Sequence, residues 1–467
     1  MAFASEELHS LDVDTLGVRL RGGELTSRQL TEHCLARVGK LDSRVHAFVL
    51  VTADRALADA ERADRELAAG IDRGPLHGIP YAVKDIFDTK GIGTTSHSWL
   101  RVDHVPASDS TVVRRMSDAG AVLIGKLGTH EFALGGPSQE LPFPPVRNPW
   151  NLEHVPGASS SGSAAAVAAG FVRIALGSDT TGSIRGPAFH CGVVGLKPTY
   201  GLVSRFGVFP LSYSLDHCGP LTRTAREAAT VLSVIEGVDP DDPGSVRRPA
   251  APSAPRRALR VGWTPKRLRA QRTVHPEVWD QLTIVLRHLR ELGAEVVTVD
   301  LPDLAVFGAC GRVIMAAEAF AVHQDDIRSR PREFGRYTYQ RVAAGATVLA
   351  SDLVLAHQTR RRLAEAVDRV FADCDVLVEP SALAPAARFD AFGHDWPPPA
   401  AANATQTVEF NVSGHPALAL PTGLSSDGLP LGVQLVGPYF SEDLLTRLAT
   451  ELESRLDILS LRPAGFE

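Results

Sequence analysis

The 467-residue sequence has little cysteine, no strong excess of charge and no long uncharged apolar run. Its five cysteines (Cys34, Cys191, Cys218, Cys310 and Cys374) are scattered without C-x-x-C spacing, which predicts free, mostly buried thiols. A net charge of −6 gives no basic footprint for nucleic acid. No leader and no apolar stretch of the roughly 20 residues that span a bilayer is visible. These absences predict a cytoplasmic protein that binds neither nucleic acid nor membrane.

Motifs for metals, for phosphates and for the ordinary serine elbow are also missing. His130-Glu131 is not part of H-E-x-x-H, and neither G-x-G-x-x-G nor a Gly-Lys-Ser/Thr ending occurs in the Gly/Ser turns. A G-x-S-x-G elbow fails because Ser161 stands two residues after Ser159, and Arg185 two residues after Ser183. The sequence therefore predicts no metal and no cofactor, and a serine nucleophile would need another means of activation.

The most informative segment runs over residues 157–198, where two hydroxyl-rich turns flank a helix and a strand. The first turn, Gly157–Ser163, opens an alanine-rich run that predicts a helix over 164–169. A buried strand is predicted over 172–176, and the second turn, Gly177–Ser183, follows it. Successive backbone N–H groups in such a turn can converge on an anion. This pattern predicts a serine nucleophile with its proton relay.

A lysine at the end of an apolar strand completes the pattern. Ile79–Val83 runs directly into Lys84. Lysine acts as a base only when it is neutral, so its pKa must fall by roughly three units, about 4 kcal/mol, at neutral pH. Burial beside apolar residues is one route to that change.

These pieces together resemble the amidase signature family of serine amidohydrolases. The resemblance rests on Val83-Lys84-Asp85, the turn Gly157–Ser163, the run Gly182-Ser183-Ile184-Arg185, and Gly195-Leu196-Lys197-Pro198-Thr199, in that order. It covers about residues 10 to 455 and implies an α/β amidase signature fold, with a central mixed β-sheet covered by helices on both faces. We expect one domain over 1–467, with N-terminal helices at 8–70, the motif region at 75–200 and a variable substrate-pocket region at 300–400.

The resemblance also implies the roles of individual residues. Ser183 is the expected nucleophile, Ser159 the bridging serine with a cis peptide bond before it, and Lys84 the base. The expected oxyanion hole consists of backbone N–H groups, those of Thr180, Thr181, Gly182 and Ser183. Asp179 and Arg185 are predicted to hold the second turn through hydrogen bonds or an ion pair. The chain departs from the family where Ala158, Ser161 and Thr181 replace common glycines, although no reacting group is lost.

Local patterns predict several other elements. Thr26 and Gln29 form a capping box, a second helix covers 53–69, and Ser108 caps a helix near 110–119. Residues 410–416, 417–421 and 428–434 resemble the closing strands of the family. The proline-rich stretch 237–257 is predicted to be a surface connection.

The substrate is expected to be a small or aryl amide, with carbamates as a further possibility, cleaved through an acyl-enzyme. The pocket walls are assigned to Ala133, Leu134, Gly135 and Gly136, with the loop 137–146 and the helices of 305–350. The glycine pair and the prolines predict an open, apolar entrance without a charged anchor. The expected partner is a small-molecule amide or carbamate substrate, and a homodimer is left open as the assembly.

Two alternatives stay open. One is the amidase subunit of a tRNA-dependent amidotransferase, which releases ammonia from glutamine. Against it, residues 127–136 differ from that subunit's usual Asn-Met-Asp-Glu-Phe-Ala-Met-Gly-Ser-Ser. The other is a catalytically silent scaffold, and the intact Lys84, Ser159 and Ser183 count against it.

Overall fold

The computed structural model describes residues 8–249, 258–270, 274–393 and 407–467. Across these residues the strands join into one mixed sheet in the order β1-β3-β2-β4-β6-β5-β10-β11-β9-β7-β8. The strands are β1 (Phe48–Val51), β2 (Pro80–Lys84), β3 (Val122–Leu127), β4 (Ile174–Asp179), β5 (Val194–Lys197), β6 (His217–Thr222), β7 (Arg260–Trp263), β8 (Glu295–Thr298), β9 (Val376–Pro380), β10 (Ala417–Leu424) and β11 (Pro430–Val436).

Helices flank this sheet, which confirms the expected fold class. They are α1 (Val13–Arg21), α2 (Ser27–Val45), α3 (Ala53–Ala68), α4 (Thr111–Asp118), α5 (Ser161–Ala168), α6 (Arg185–Cys191), α7 (Ala225–Ile235), α8 (Pro265–Ala270), α9 (Pro276–Glu291), α10 (Leu304–Ser329), α11 (Arg336–Ala344), α12 (Ala350–Val370), α13 (Glu409–Ser413) and α14 (Glu442–Leu456).

The parallel part of the sheet brings the two motif regions together. β2 pairs in parallel with both β3 and β4, and all five of its residues are buried. Val83 lies opposite Leu176 of β4, so Lys84 ends β2 beside the segment that leads into the second turn. The carboxyl ends of parallel strands share one edge of a sheet, which is where α/β proteins place their ligand sites. The sheet register therefore positions Lys84 against the second turn.

Small side chains let α5 approach the sheet closely. Every residue of this eight-residue helix is buried. A Cβ atom at Gly162 would lie 2.5 Å from the backbone nitrogen of Gly128, so only glycine fits there. The Ala, Gly and Ser composition of α5 thus sets how near the first turn lies to β3.

Of the two helix caps predicted from sequence, one is confirmed and one is wrong. The Thr26–Gln29 capping box is confirmed at the start of α2. Ser108 is a wrong choice of cap for α4: the helix begins at Thr111, so Ser110 is the residue whose hydroxyl accepts from Val113 N–H.

Two further predictions concern a closing strand and the proline-rich connection. The stretch 410–416, assigned to a closing strand, is mostly helix in α13. It is followed by the predicted strand β10, and the wrong boundary came from an apolar run too short to separate helix from strand. Part of the proline-rich connection, residues 250–257, lies outside the described residues.

One described helix, α10, is long and apolar enough to cross a membrane by length and composition alone. The sequence offers no uncharged run of that length because Arg312 and Glu318 interrupt it. In the fold α10 buries Phe307 and Ile314 in the main hydrophobic core, and core helices of this kind pass the same test. The finding is therefore weak evidence for a membrane span.

Candidate active site

Lys84 lies fully buried at the centre of a group of serine hydroxyls. Its Nζ is 2.7 Å from Ser159 Oγ, 2.8 Å from Ser178 Oγ and 3.2 Å from Ser160 Oγ. Ser159 and Ser160 come from the first turn, whereas Ser178 lies at the end of β4. The structure thus joins the predicted lysine to the predicted bridging serine, and it adds the hydroxyls of Ser160 and Ser178, to which the sequence analysis assigned no part in the chemistry.

The surroundings of Lys84 favour its neutral form. Burial lowers its pKa from 10.5 to about 7, and Asp216, Asp179 and Cys218 oppose that change only in part. Removal from water penalises an ammonium ion far more than a neutral amine, which accounts for the direction. A lysine with this pKa can accept a proton near neutral pH.

Asp179 holds the second turn from both sides of Ser183. Its carboxylate accepts hydrogen bonds from the backbone N–H groups of Gly182 (2.8 Å), Ile184 (3.1 Å) and Arg185 (3.3 Å). The Arg185 guanidinium forms a buried ion pair with the same carboxylate at 3.0 Å, as the sequence predicts. Burial acts to raise the pKa of Asp179, but Arg185, Lys197 and Asn411 outweigh it and leave that pKa below its ordinary value.

Ser183 itself lies against the first turn. The backbone N–H of Ser159 is 3.4 Å from Ser183 Oγ, and Ser160 N–H donates to the Ser183 carbonyl at 3.2 Å. Within the part of the chain that the structure describes, no hydrogen bond joins the side-chain hydroxyls of Ser159 and Ser183. The two serines are therefore adjacent, but direct proton transfer between them needs a rotation of one hydroxyl.

The four N–H groups assigned to the oxyanion hole are not equivalent. The N–H of Gly182 is already donated to Asp179 in this structure. The N–H groups of Thr180, Thr181 and Ser183 donate to no acceptor among the described residues. Thr407 also supports this turn, since its hydroxyl donates to the Thr181 carbonyl at 2.7 Å.

A cavity of about 450 Å³ opens in front of Ser183. The four wall residues predicted from sequence all line it, as do both serines: Ala133, Leu134, Gly135, Gly136, Ser159 and Ser183. The loop 137–146, predicted as a further wall, contributes no lining residue. The predicted helices do contribute, through Met315, Tyr337 and Arg341.

The glycine pair Gly135-Gly136 in this wall has a different role from the one that the sequence suggested. A Cβ atom at Gly135 would lie 2.7 Å from Thr338 Oγ1, and one at Gly136 would lie 3.1 Å from the Tyr337 ring. Helix α11 therefore packs directly on the glycines. They allow close packing and do not create the open entrance that was predicted.

Helix α11 also supplies a cation that sequence reasoning missed. Arg341 lines the cavity and donates to the Leu134 carbonyl. Burial lowers its pKa to about 10, so the guanidinium stays charged near neutral pH. The available signal was the spacing of Tyr337 and Arg341, which places both on one face of a helix. Their distance in sequence from Ser183 hid their place in the site.

Glu131 anchors α11 to the cavity wall. One carboxylate oxygen accepts from Ser98 Oγ at 2.6 Å and the other from Gly335 N–H at 2.9 Å, just before α11 begins. Burial raises the pKa of Glu131 to about 7. The next two residues, Phe132 and Ala133, have φ angles of 51° and 59°, which non-glycine residues adopt rarely. The fold thus tolerates backbone strain where the wall turns.

The fold and this buried Lys–Ser arrangement define a hydrolase that acts on carbon–nitrogen bonds. The family model named Amidase matches residues 29–446, and the chain belongs to this family. The chain is 41% identical to the A subunit of glutamyl-tRNA(Gln) amidotransferase from Synechococcus sp. (strain CC9311), over 96% of this chain and 97% of that protein.

Solved structures show the same similarity. A chain from a vestigial protein complex, described as revealing the origins of an s-triazine catabolic enzyme, superposes with a TM-score of 0.89 and 33% identity, covering 97% of this chain and 100% of that one. The A subunit of glutamyl-tRNA(Gln) amidotransferase from Thermotoga maritima has a TM-score of 0.78 and 31% identity, covering 96% of this chain and 95% of that one.

These relatives correct two expectations. The substrate expectation of a small or aryl amide or a carbamate is wrong, because full-length relatives at up to 41% identity are amidotransferase subunits. Its physical basis was an apolar entrance without a charged anchor, and Arg341 removes that basis. The expectation of a small-molecule substrate without nucleic acid as a partner is also wrong, because the relatives are named as one subunit of an enzyme of glutamyl-tRNA(Gln).

The described residues contain no group of three or more His, Cys, Asp or Glu side chains arranged to hold a metal ion. All five cysteines are buried and free, as the scattered spacing predicts.

Proposed function

We propose that the protein is the amidase subunit of a tRNA-dependent amidotransferase and that it releases ammonia from the side chain of glutamine. One observation carries this proposal: the 41% identity to the A subunit of such an enzyme extends over almost the full length of both chains. Similarity that covers the motif region, the cavity walls and both ends argues for a shared substrate more strongly than the motifs alone, which all amidases share.

The hydrogen bonds around Lys84 support its role as the base. Ser160 Oγ donates to the Ser178 carbonyl at 3.0 Å, so towards Lys84 it acts as an acceptor. A neutral amine has two N–H donors and one lone pair. When the two N–H groups of neutral Lys84 donate to Ser160 and Ser178, its lone pair faces Ser159 Oγ, which is 2.7 Å away. Lys84 is thus arranged to take the Ser159 hydroxyl proton.

The proposed reaction proceeds through an acyl-enzyme. Lys84 takes a proton from Ser159, Ser159 takes one from Ser183, and Ser183 Oγ forms a bond to the carboxamide carbon of glutamine. The C–N bond then breaks as the relay returns the proton to nitrogen, which leaves as ammonia. Water activated by the same relay hydrolyses the ester on Ser183 and releases glutamate.

The N–H groups around Ser183 suit the oxyanion of this reaction. Thr180, Thr181 and Ser183 have N–H groups without an acceptor among the described residues, on the turn that Asp179 holds rigid. Donors that need no reorganisation stabilise developing charge most effectively. The Ser183 hydroxyl must rotate away from Ser159 N–H towards Ser159 Oγ, and catalytic hydrogen bonds often tighten in this way only when substrate binds.

Arg341 gives the cavity a partner for an amino-acid substrate. Glutamine carries an α-carboxylate, and a guanidinium is the side chain best suited to bind a carboxylate through paired hydrogen bonds. Arg341 lies in the same cavity as Ser183. An aryl amide offers this cation no carboxylate.

The remaining expectations stay as parts of this proposal. The protein can leave contacts with tRNA to its partner subunits, so a net charge of −6 does not argue against an RNA substrate for the whole enzyme. We also propose that residues 1–467 form one domain. A cytoplasmic location belongs to the proposal as well, since translation enzymes work there.

Ammonia release tests the proposal. The protein is purified with any subunits that accompany it, and ammonia from L-glutamine is compared with cleavage of a nitroanilide and of an aryl carbamate at equal concentration. We expect glutamine to give the highest kcat/KM and Ser183→Ala to give none. A nitroanilide or carbamate cleaved faster than glutamine, with no glutamine turnover in any preparation, would refute the proposal.

A further inference from the structure

Asp216 is a buried carboxylate beside the second turn, and the proposed reaction gives it no role. Its Oδ1 accepts a hydrogen bond from Thr180 Oγ1 at 2.6 Å. Its Oδ2 accepts from the backbone N–H groups of Leu211 at 2.9 Å and Ser212 at 3.0 Å. The loop before β6 therefore fixes this carboxylate, which presents its other oxygen to the turn.

Thr180 is the residue through which Asp216 contacts the turn. It follows the last residue of β4, and its backbone N–H is one of the expected oxyanion donors. Only Cβ and Cα separate the hydroxyl oxygen of a threonine from its backbone nitrogen, and a β-branched side chain has few χ1 rotamers. A hydrogen bond that fixes Thr180 Oγ1 therefore also restricts where the Thr180 N–H lies.

The other contacts that hold the turn do not include Thr180. Asp179 accepts from N–H groups of the turn only from Gly182 onward, and the Thr407 hydroxyl donates to the carbonyl of residue 181. Within the described part of the chain, Asp216 is the only side chain that accepts from the Thr180 hydroxyl. The start of the turn is thus held by Asp216 and the rest of it by other residues.

The negative charge of Asp216 strengthens this contact at neutral pH. Burial raises the pKa of Asp216 to about 6 and Glu318 acts in the same direction, whereas the hydrogen bonds that the carboxylate accepts oppose the change. The carboxyl group is therefore mostly ionised at pH 7. A hydrogen bond to an ionised acceptor is roughly twice as strong as one between neutral groups.

The same carboxylate ties the turn to the cavity wall. Leu211, whose N–H it binds, lines the active-site cavity. Ser212 Oγ donates to Glu318 Oε2 of α10 at 2.5 Å, which fixes the loop to a helix that also contributes to the wall. Asp216 therefore sets the place of Thr180 relative to the surface that a substrate contacts.

We infer that Asp216 is a positioning residue of the oxyanion hole and that it holds the Thr180 N–H in place through the Thr180 hydroxyl. The inference rests on the proposed reaction at Ser183, but it does not depend on glutamine as the substrate. Any tetrahedral adduct on Ser183 Oγ carries its charge on an oxygen that these N–H groups stabilise. A misplacement of about 1 Å at such a site costs about 100-fold in rate, so loss of this hydrogen bond should slow the attack.

The rate at which a fluorophosphonate labels Ser183 tests this role without glutamine. In that reaction Ser183 Oγ attacks phosphorus, fluoride leaves, and the phosphoryl oxygen takes the place of the oxyanion. Thr180→Val keeps the shape of the side chain and the charge of Asp216, which also acts on the pKa of Lys84. We expect Thr180→Val to lower the maximal labelling rate about 10- to 100-fold without changing the affinity for the probe. Thr180→Ser, which keeps the hydroxyl, should recover most of that rate.

Asp216→Ala tests the same contact from the other side. It should slow labelling at least as much as Thr180→Val, and the double variant should be no slower than Asp216→Ala alone, because Asp216 acts through Thr180. These rates are measured at pH 8.5, where Lys84, with a pKa of about 7, is already neutral. A double variant that is slower by the full factor of Thr180→Val would mean that the two residues act independently, which overturns the inference.

Thr264 provides the matched control. Its hydroxyl donates to the buried Glu379 carboxylate at 2.5 Å, and neither residue lines the cavity. Thr264→Val should lower the urea midpoint of unfolding as Thr180→Val does, but it should leave the labelling rate unchanged.

Three outcomes overturn the inference: Thr180→Val labels at the wild-type rate, Thr180→Ser is as slow as Thr180→Val, or Thr264→Val slows labelling equally. The glutamine proposal fails separately, when wild-type protein purified with any accompanying subunits labels at Ser183 but does not hydrolyse glutamine. A wild-type protein that does not label at Ser183 overturns the proposed reaction and this inference with it.

Discussion

Replacing Lys84 by methionine should abolish activity and yet stabilise the protein at neutral pH. The pKa of Lys84 falls from 10.5 to about 7, and one pKa unit corresponds to about 1.4 kcal/mol, so keeping this lysine in the fold costs on the order of 5 kcal/mol below pH 7. Methionine removes that cost. Methionine also removes the hydrogen-bond partner of Ser159, Ser160 and Ser178. This loss lowers the free energy of unfolding by about 1–3 kcal/mol.

The sign of the pH dependence follows from the lowered pKa. Below pH 7 both the folded and the unfolded chain carry a protonated Lys84, and the full cost applies. Between pH 7 and 10.5 only the unfolded chain binds the proton, so the cost shrinks as pH rises. The net gain of Lys84→Met, about 2–4 kcal/mol at pH 7, should therefore decline towards pH 10.

Urea unfolding at pH 7 and pH 9.5 measures this gain, and turnover is measured in parallel. Lys126 is the matched control, because it is equally buried but pairs with Asp85 at 3.5 Å. Lys126→Met leaves that carboxylate without its cation and should destabilise the protein by about 3–5 kcal/mol. Wild-type kcat/KM should rise through pH 7 and fall to about one hundredth of its plateau at pH 5. If Lys84→Met is less stable than wild type at both pH values, the buried neutral lysine is refuted.

Three further outcomes test other parts of the site. Ser183→Ala should lose all labelling by a fluorophosphonate probe with an unchanged circular dichroism spectrum, and mass spectrometry that finds the label on Ser159 in the wild type would contradict the assignment. Arg341→Ala should raise KM for glutamine by about 10- to 100-fold with a smaller change in kcat, whereas an unchanged KM would remove Arg341 from substrate binding. Asp179→Asn should lower the free energy of unfolding by about 3–5 kcal/mol, because Arg185 loses its buried counter-ion, and unchanged stability in urea would mean that Asp179 does not hold the turn.

The parts of the fold that could be predicted from sequence have causes within a few residues of chain. The Thr26–Gln29 box is one turn of helix, and the Asp179–Arg185 ion pair closes a turn of six residues. Glu409–Ser413 shows the limit of such reasoning. A run of five mixed apolar and polar residues suits a helix as well as a strand, and contacts with distant residues decide which of the two forms. Asn411 in this helix donates to the Asp179 carboxylate at 2.8 Å, across more than 200 residues of chain.

The oxyanion hole shows a related limit of sequence reasoning. A glycine-bounded turn supplies several N–H groups, and the sequence does not say which of them the fold uses for itself. Asp179 takes the N–H of Gly182 and of Ile184, on either side of Ser183. Only the three-dimensional turn shows that Ser183 N–H remains available.

The substrate prediction failed because the reacting groups and the groups that choose a substrate come from different parts of the chain. Lys84, Ser159 and Ser183 lie in the motifs that mark the amidase signature family, and attack on an amide or a carbamate makes the same oxyanion. Arg341, the cation that we propose binds the substrate carboxylate, comes from α11, whose position depends on the contact of Glu131 with Gly335 N–H and on the packing of Tyr337 against Gly136. A change confined to α11 would therefore alter this contact and leave Lys84, Ser159 and Ser183 in place. This explains why the motif region identifies the amidase family, whereas full-length similarity is needed to argue for glutamine.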